Sequence, residues 1–450
     1  MRQLIQGRKA DLDGLPCSSQ TSHFLDNLSP DLVEILNQIS QNGGGVWIVG
    51  GAVRDWMLGH SPNDIDLAVD LTPEAMIEIF SDAILTGEDF GTVSLRGKNC
   101  LYQATTLRTD GEYLDGRRPE KVTWGMSLSD DLERRDFTIN AMAIDVARKL
   151  LYDPHNGRND ISRGIIRAVG NAHQRLSEDG LRIMRAYRFA DRRESGVWEI
   201  EHSLKQSISQ QKNMLDSISS ERIWIEWKKI LSGKNSGEVI EMMALEGILD
   251  RFLVGEWSDR FSLLDAMKKN LEIFSGIERF ALLLCSCTIN DVKLICSNLK
   301  LSRKERDEIQ AIHHMFGHIP EQSNQSMRKY RFILNDFAEK HLIFEMIILE
   351  SGIKMNNKQD YSIKDLENIL QTLRGLEKLN TDLEPLADGN WIMNQTGLTK
   401  GIRLGRLKSW LHTIQIERDL TSISQIERVL STLSWENGDV DNWPQLKFPQ

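Results

Sequence analysis

The hydrophobic pattern changes character part-way along the chain. Short apolar runs typical of strands occur at 46–49, 64–69, 92–96, 100–107, 121–124 and 139–145. A helical pattern at 28–40 precedes the first of these runs, and others lie between runs at 52–58 and at 74–80, the last following Pro73. From about residue 172 the helical period dominates to the end. This order predicts an α+β fold, with a small mixed β-sheet and helices in an N-terminal head, followed by all-α domains.

The predicted organisation has five segments, although the hydrophobic pattern alone separates only the arm, the head and an all-α remainder. Residues 1–27 form an N-terminal arm, of which the first 22 read as loose chain, and residues 28–170 form the head. Three helical segments follow, at 171–235, 236–355 and 356–450.

Composition narrows the class of protein. The chain has 450 residues, of which 40% are hydrophobic and 27% charged, which is ordinary for a globular protein. A net charge of −10 argues against indiscriminate nucleic-acid binding, so any RNA contact requires a local basic patch. The first residues lack the apolar core of a signal peptide, and the apolar runs FALLLC and HLIFEMIIL are too short to span a bilayer.

The cysteines do not indicate a metal site or a disulfide framework. An odd number of cysteines without zinc-ligand spacing predicts free thiols in a reducing cytoplasm. The five are Cys17, Cys100, Cys285, Cys287 and Cys296.

The stretch 46–58 joins a predicted strand to a helix through two glycines. Val46 to Val49 is apolar and ends at Gly50-Gly51, which is typical of a buried strand entering a tight turn. The glycine backbone and the first N–H groups of the following helix would face an anion placed there. Arg54 adds a charged fork at the same place. The stretch therefore predicts a phosphate-binding turn.

Two carboxylates follow closely. In a strand over 64–69, a period of two places Asp64 and Asp66 on one face, with Ile65 directed to the core. Paired carboxylates beside a phosphate-binding turn suit Mg²⁺ bound through carboxylates and substrate phosphates. Taken singly, a Gly-Gly pair is usually only a turn and an Asp-x-Asp is usually solvated, so their order and spacing carry the prediction.

The segment GGAVRD, a short helix, LG, and DID before an apolar strand resembles the class II tRNA nucleotidyltransferase and bacterial poly(A) polymerase family. The resemblance implies a nucleotidyltransferase head followed by neck, body and tail domains. It also implies Mg²⁺ on Asp64 and Asp66 as catalytic residues, and a triphosphate held by Gly51 and Arg54.

Two further head segments resemble the family. Residues 131–143, DLERRDFTINAMA, resemble its linking motif, which implies that Arg135 binds the triphosphate. Residues 106–119, TLRTDGEYLDGRRP, resemble the flexible loop by which CCA-adding members change nucleotide, although a solvated hairpin connection is the alternative. Asp110 in this loop is a further candidate metal ligand.

A regular spacing of charged residues marks the segment 178–193, EDGLRIMRAYRFADRR. Ser177 and the acidic pair at 178–179 suit a helix N-terminus. Asp179, Arg182, Arg185 and Arg188 then recur every three residues and form a slanting ridge on the helix. An ion-pair ladder on a solvated face is the alternative interpretation. The segment resembles the family's nucleotide-selecting motif.

Hydrogen-bonding capacity explains what such a motif can select. A carboxylate only accepts and a guanidinium only donates. Asp179 accepting from the amino group and Arg182 donating to the ring would admit cytosine and adenine. Uracil and guanine present the reverse order and would leave groups unpaired. By resemblance, Arg185 and Arg188 contact the nucleotide and its phosphates.

Residues 388–411, DGNWIMNQTGLTKGIRLGRLKSWL, resemble the tail segment of the family, which in relatives lies near the tRNA elbow. Phosphate contact by this locally basic segment is one interpretation, and a solvated basic helix is the other. The candidate RNA-binding residues are Lys400, Arg403, Arg406 and Lys408.

These features predict a cytoplasmic enzyme that completes CCA on tRNA. An RNA 3′-hydroxyl attacks the α-phosphate of CTP or ATP, pyrophosphate leaves, and metal ions assist as in two-metal phosphoryl transfer. The alternatives are a poly(A) polymerase, an A-only or CC-only adder, and an inactive RNA-binding relative. The loop at 106–119 looks complete, which disfavours the CC-only alternative. His313, His314 and His318 read as ordinary helix-end residues.

Overall fold

The computed structural model describes residues 4–87, 91–98, 100–110, 122–125, 127–253, 257, 261–268, 271–353, 361–436 and 438–449. The chain divides into two compact units. The first comprises Met1–Asn235 with Met242–Leu253, and the second Ser236–Glu241 with Val254–Gln450. The predicted segment boundaries at residues 27, 170, 235 and 355 stay predictions.

The first unit is built on a mixed β-sheet. Its eight strands lie in the order β1-β10-β9-β2-β3-β6-β5-β4, and the β3–β6 pair is parallel while the other pairs are antiparallel. Strands β7 and β8 form a separate antiparallel pair, and β11 and β12 a parallel one. The strands are β1 (Leu15–Pro16), β2 (Val46–Val49), β3 (Asp66–Val69), β4 (Ile84–Gly87), β5 (Thr92–Arg96), β6 (Leu101–Thr106), β7 (Arg108–Asp110), β8 (Val122–Trp124), β9 (Ala143–Asp145), β10 (Leu150–Tyr152), β11 (Ile165–Ile166) and β12 (Glu199–Ile200).

Along the chain, helices alternate with the strands of this sheet and then follow them. Proline begins two of them, Pro30 and Pro73, and the Thr72 side chain caps the second by accepting from Ala75 N. The helices are α1 (Ser19–Asp26), α2 (Pro30–Gln41), α3 (Gly51–Met57), α4 (Pro73–Ile79), α5 (Leu128–Glu133), α6 (Gly157–Arg163), α7 (Ala172–Glu178), α8 (Leu181–Ala190), α9 (His202–Gln211), α10 (Ser220–Leu231) and α11 (Ser236–Leu245). Helix α11 contains residues of both units.

The prediction that the chain is loose up to residue 22 is wrong for the residues that the structure describes there. Strand β1 pairs with β10 at the edge of the sheet. Asn37 accepts a hydrogen bond from Ile5 N at 2.8 Å, and Arg8 forms an ion pair with buried Asp70 at 3.1 Å. Asp11 caps α5 by accepting from Leu128 N. A two-residue strand offers no alternation to detect, so these contacts left no periodic signal in the sequence.

Two predicted strands begin later than expected. Strand β3 starts at Asp66, so Asp64 lies in the preceding loop. The run at 139–145 contains a 3₁₀ turn at Thr138–Asn140, and β9 begins only at Ala143. The β2, β5, β6 and β8 predictions agree with the structure to within one residue at each end.

The described part of the second unit consists of helices and loops. Side-chain caps begin many of the helices, including capping boxes at Ser275 and Ser302. The helices are α12 (Phe261–Lys268), α13 (Gly276–Leu283), α14 (Ile289–Asn298), α15 (Arg303–Met315), α16 (Asn324–Leu334), α17 (Phe337–Ser351), α18 (Ile363–Gly375), α19 (Gly389–Thr396), α20 (Ile402–Arg418) and α21 (Ile423–Leu430). None of the helices in the described ranges is long and apolar enough to cross a membrane.

Two of the three histidines lie at a helix end, and the cysteines are unpaired with one another. His313 and His314 lie in the last turn of α15, and a ring nitrogen of His313 is 3.0 Å from the Cys287 carbonyl oxygen. All five cysteines are free thiols.

Candidate active site

A glycine turn connects β2 to α3. Gly50 has φ 68°, a left-handed conformation that side chains disfavour, and a Cβ there would lie 3.0 Å from Arg135 Nη1. A Cβ at Gly51 would lie 3.6 Å from Arg54 Nη2. The turn therefore needs glycine at position 50 both for its backbone conformation and for the close approach of an arginine.

Strand pairing carries Asp66 to this turn. In the antiparallel β2–β3 pair Val49 lies opposite Asp66, so the carboxylate begins β3 beside Gly50. Asp64 lies two residues before the strand and is exposed. The prediction that one strand face carries both carboxylates is therefore wrong. A loop residue and a strand residue line the same cavity instead.

The electrostatics of the two carboxylates suit a cation. Burial raises the pKa of the Asp66 carboxyl, the Arg135 charge lowers it, and the Asp64 charge raises it further. Within the described ranges, no hydrogen bond or ion pair joins either carboxylate to another side chain. No group of three or more His, Cys, Asp or Glu residues suited to a metal occurs in that part of the chain. A divalent ion here would complete its ligands with substrate oxygens and water, as Mg²⁺ commonly does.

Asp131 fixes the two arginines that follow α5. Its side chain is 1% exposed and accepts hydrogen bonds from Arg134 Nε at 3.0 Å and Arg135 Nη2 at 3.0 Å. Burial opposes ionisation of this carboxyl, but the two guanidinium charges and their hydrogen bonds outweigh it and lower its pKa. Arg135 is thereby held beside the glycine turn.

A second buried carboxylate links the turn to α8. Asp136 accepts from Arg185 Nε at 2.7 Å and from Asn140 Nδ2 at 3.1 Å. Asn140 in turn accepts from Arg54 Nη1 at 2.7 Å. Burial opposes ionisation of Asp136, yet the Arg185 charge and the hydrogen bonds of Asn140 and Arg185 lower its pKa to about 2. One hydrogen-bonded chain therefore runs from Arg54 to Arg185.

The predicted helix start at 177–179 is partly wrong. Ser177 and Glu178 end α7, and the backbone breaks at Asp179, with φ −154° and ψ 106°, before α8 begins at Leu181. Asp179 caps α8 by accepting from Leu181 N at 3.0 Å. Its other oxygen accepts from Arg222 Nη2 at 2.6 Å. Glu178 therefore belongs to the end of α7, whereas Asp179 caps the start of α8.

Arg182 is oriented by groups other than Asp179. Its Nη1 donates to Glu178 Oε2 at 2.5 Å and to the Arg175 carbonyl oxygen at 2.7 Å. Its Nη2 donates to the Arg134 carbonyl oxygen at 3.1 Å. The predicted base-selecting pair is thus two separately fixed side chains that line one cavity, not an i,i+3 ion pair.

Helix α10 supplies residues that sequence reasoning missed. Arg222 and Lys229 line the cavity, and Glu226 forms an ion pair with Arg188. These residues lie more than thirty positions after Asp179 in an ordinary amphipathic helix, so nothing in their local pattern indicated a site. Asp136 and Asn140 lie within the quoted segment 131–143 and could have been singled out there.

An open cavity of about 830 Å³ collects the predicted head and neck residues. Its lining includes all nine of them, namely Gly51, Arg54, Asp64, Asp66, Arg135, Asp179, Arg182, Arg185 and Arg188. Residues 111–119 of the predicted flexible loop, and the Asp110 side chain, lie outside the described residues.

In the basic tail segment, residues 388–411, two of the predicted RNA-binding residues are bonded to the chain itself. Arg403 donates to the carbonyl oxygens of Trp435 and Glu436, both at 2.9 Å, and of Gly438 at 3.0 Å. Arg406 forms an ion pair with Asp441 at 3.3 Å, and Lys400 is exposed. Within this segment, α20 begins directly after an exposed glycine at position 401. Lys408 lies on the same helix and is half-buried.

Comparison with known proteins shows the family to which this chain belongs. The model "Poly A polymerase head domain" matches residues 46–167, and "Probable RNA and SrmB- binding site of polymerase A" matches residues 198–255. A CCA-adding enzyme of Geobacillus stearothermophilus is 39% identical over 287 residues, which cover 64% of this chain and 70% of the relative. One from Staphylococcus aureus (strain MSSA476) is 31% identical over 90% of this chain and 97% of the relative. The chain belongs to the CCA-adding enzyme family.

Solved structures of the CCA-adding enzyme family agree with the fold. The Bacillus stearothermophilus CCA-adding enzyme in complex with CTP aligns with a TM-score of 0.70 at 25% identity, covering 90% of this chain and 98% of that one. A Thermotoga maritima CCA-adding enzyme complexed with tRNA shares the fold, with a TM-score of 0.60 at 21% identity over 92% of this chain and 99% of that one. The predicted family and the predicted α+β class are confirmed.

Proposed function

We propose that this chain adds CCA to the 3′ end of tRNA from CTP and ATP, without a template and with release of pyrophosphate. The observation that carries the proposal is the convergence of nine predicted residues on one cavity of about 830 Å³. Membership of the CCA-adding enzyme family supports it. We also infer that the chain acts in the cytoplasm, where tRNA, CTP and ATP are present.

The base is selected at the start of α8. Asp179, held by Arg222 and by Leu181 N, accepts from the amino group of cytosine or adenine. Arg182 donates to a ring acceptor on the same edge. Because both side chains are fixed by other partners, they present this pattern without paying for reorganisation when the nucleotide binds. Uracil and guanine would set an acceptor against Asp179 and a donor against Arg182, so neither hydrogen bond could form.

The triphosphate lies between the glycine turn and the arginines. Arg54 and Arg135, held by Asn140 and Asp131, donate to phosphate oxygens, and Gly51 allows the backbone to approach them. Arg185 and Arg188 complete the positive lining.

Asp64 and Asp66 hold Mg²⁺ at the reacting end. When bound by these two carboxylates, the ion would supply Lewis acidity to the attacking 3′-hydroxyl and positive charge to the phosphates. The two carboxylates fit this role because they line the cavity and form no hydrogen bond with another side chain in the described ranges.

The experiment is incorporation on defined transcripts. Transcripts of tRNA that end before CCA, after C and after CC are incubated with each labelled nucleotide in turn. We expect addition of C, C and A and then arrest, with no use of UTP or GTP. Long adenosine tails on unstructured RNA without CTP use would indicate a poly(A) polymerase, and no incorporation would indicate an inactive RNA-binding relative.

The loop at 106–119 offers a second test of the same function. One pocket can take C and then A only if its shape changes as the product grows. We expect that deletion of 111–116 leaves CC addition and removes the final A. Loss of C and A addition together would contradict a nucleotide-switching role for this loop.

A further inference from the structure

Strands β3, β5 and β6 carry polar side chains on the face that holds the Asp66 carboxylate. In the parallel β3–β6 pair Asp66 lies opposite Gln103. In the antiparallel β5–β6 pair Ser94 lies opposite Gln103, and Thr92 lies opposite Thr105. Residues that lie opposite one another, or two apart on one strand, share a face of a sheet. We call the face formed by Asp66, Thr92, Ser94, Gln103 and Thr105 the polar face.

The other face of the same strands belongs to the core. Its hydrophobic residues are at most 6% exposed, and they are Leu67, Val69, Val93, Leu95, Tyr102 and Ala104. On the polar face Thr92, Gln103 and Thr105 are half-buried. Alternation of this kind is typical of a sheet with one packed side and one accessible side. The polar face is therefore open to a ligand at three positions.

Two hydroxyl groups orient the amide of Gln103. Its Oε1 accepts from Ser94 Oγ at 3.1 Å and from Thr86 Oγ1 at 3.2 Å. Thr86 lies on β4, where the register with β5 shifts, and is exposed. Within the described ranges Gln103 Nε2 has no hydrogen-bond partner. The amide therefore keeps two N–H donors for a ligand while its oxygen is held in place.

A hydroxyl pair lies beside this amide. Thr105 Oγ1 is 3.0 Å from Thr92 Oγ1, and Thr105 lines the cavity. Each hydroxyl carries one hydrogen, so one hydrogen of the pair stays available whichever residue donates to the other. None of the residues of the polar face is a cation. Its groups suit a neutral ligand that both donates and accepts, such as a ribose hydroxyl, better than a phosphate.

The geometry of the reaction indicates which ribose reaches this face. In an in-line displacement the attacking hydroxyl and the leaving pyrophosphate lie on opposite sides of the α-phosphate. The triphosphate is assigned to Gly51, Arg54 and Arg135, beside the end of β2. There Val49 lies opposite Asp66, and β6 lies on the other side of β3. A nucleophile that approaches Asp66 from the side away from the triphosphate therefore meets the polar face.

We propose that the polar face binds the ribose of the 3′-terminal nucleotide of the RNA, with Gln103 Nε2 donating to its 2′-hydroxyl and Thr105 Oγ1 accepting from it. Neighbouring strands are about 4.8 Å apart, so Asp66 and Gln103 can reach the two adjacent hydroxyls of one ribose. These contacts place the 3′-hydroxyl beside Asp66 and distinguish an RNA end from a DNA end. The proposal rests on the proposed function, because that function supplies RNA as the nucleophile.

A purely structural role makes a different prediction. Cross-strand hydroxyl and amide pairs on a solvated sheet face contribute to stability. Such pairs have no means of distinguishing ribose from deoxyribose at an RNA end. The ratio between the two ends therefore reports the proposed contact separately from the stability of the sheet.

The experiment uses two tRNAs that end after CC and differ only in the 2′-hydroxyl of the last nucleotide. The Kd of each tRNA is measured without ATP, and kcat/KM is measured for addition of A. We expect the unmodified chain to bind the 2′-deoxy end about fivefold more weakly, as one or two lost hydrogen bonds would cause. In Gln103→Met and Thr105→Val the ratio should approach one, because the contact is already lost. The KM for ATP should stay unchanged.

Gln41→Met is the matched control, because Gln41 is exposed at the end of α2 and does not line the cavity. It should keep the ratio of the unmodified chain. Equal binding of the two tRNAs by the unmodified chain would overturn the proposal, as would a ratio that persists in both Gln103→Met and Thr105→Val. If Gln103→Met does not fold, Thr105→Val alone decides.

A third pair of substrates tests whether the polar face binds the other ribose. If both variants lose the preference for ATP over dATP but keep the ratio between the two RNA ends, the polar face holds the incoming nucleotide and the proposal is wrong.

These results are separable from the proposed function. A chain that prefers the RNA end in binding but incorporates no nucleotide would refute the proposed function and leave the ribose contact standing. A chain that completes CCA equally well on both tRNAs, with equal Kd, would do the reverse.

Discussion

The cavity and the basic tail segment both contain arginines that were predicted to contact the substrate, but they use them differently. In the cavity the guanidinium groups are held by buried carboxylates such as Asp131 and Asp136 and still line open space. In the tail segment Arg403 is occupied by three backbone carbonyls and by the Trp443 ring, 5.3 Å from its Cζ. Arginine side chains therefore line a candidate ligand site in one region, whereas in the other Arg403 stabilises the fold of the chain itself.

The contrast shows what a charged motif can and cannot indicate. Spacing shows which cations share a helix face, but the partner that each cation finds decides whether it is available to a ligand. A guanidinium has five N–H donors, and Arg403 uses three of them on backbone carbonyl oxygens, so two remain for a phosphate. The following predictions test this distinction, beginning with the largest expected effect.

In the cavity, the largest loss of activity is expected when Asp66, one of the two carboxylates assigned to the metal, is removed. We expect Asp66→Ala to reduce nucleotide incorporation about a thousandfold, because the charge that holds the metal is lost. The unfolding temperature should not fall, since Asp66 forms no stabilising ion pair within the described ranges. Primer extension with Mg²⁺ and a thermal melt measure the two quantities.

Glu78→Ala is the matched control for this carboxylate. Glu78 is exposed on α4 of the same unit and does not line the cavity. It should retain normal incorporation. Near-normal turnover by Asp66→Ala would show that the carboxylates at 64 and 66 do not hold a catalytic ion.

The base-selecting residues give the next largest effect. We expect Asp179→Ala to reduce discrimination against UTP and GTP about a hundredfold, while triphosphate affinity, held by other arginines, changes little. Arg222→Met should produce a weaker form of the same loss, because it removes the 2.6 Å hydrogen bond that fixes Asp179. Competition assays with mixed nucleotides measure the ratio. Full preference for CTP and ATP in Asp179→Ala would place base selection elsewhere.

The sequence predicted the fold where local signals were strong. The glycine turn at 50–51 and proline at a helix start correspond to observed features. The loss of strands after residue 172 does so too in the described ranges, except for the two-residue strand β12. The N-terminal segment was missed because its two-residue strand and its single side-chain contacts have no period. The break at Asp179 was missed because the acidic pair there resembles an ordinary helix start.

The site was predicted residue by residue but not as a network. The motifs identified Gly51 and the arginines that line the cavity from α3 and α8, but not the other lining residues of these helices. It could not show that Asp136 and Asn140 join these helices, or that Arg222 holds Asp179, because such links depend on contacts between distant segments. Whether Arg403 faces a ligand or its own chain is likewise decided by residues more than thirty positions away.

The network within the cavity predicts a pH dependence of stability. The pKa of Asp136 is about 2 in the folded chain, below the ordinary value of 3.8, so its ionised form stabilises the fold. That contribution, about 2 kcal/mol, is present above about pH 5 and is lost as the pH falls towards 2. We expect Asp136→Asn to lower the free energy of unfolding at pH 7 and to differ less from the unmodified chain as the pH falls. Urea unfolding from pH 3 to 7 measures this, and a difference that is constant with pH would contradict it.

The smallest effect separates two cations of the tail segment. Arg403→Met removes three hydrogen bonds, so we expect it to reduce stability by about 1 kcal/mol or more, detected as faster amide exchange at 438–443. Lys400→Met is the matched substitution at an exposed cation of the same segment. It should leave exchange unchanged, weaken tRNA binding about two- to threefold and lower the salt slope of that binding by about one, because one phosphate contact is lost. If Arg403→Met lowers the salt slope as much as Lys400→Met without changing exchange, then Arg403 serves the RNA after all, and the two regions use their arginines alike.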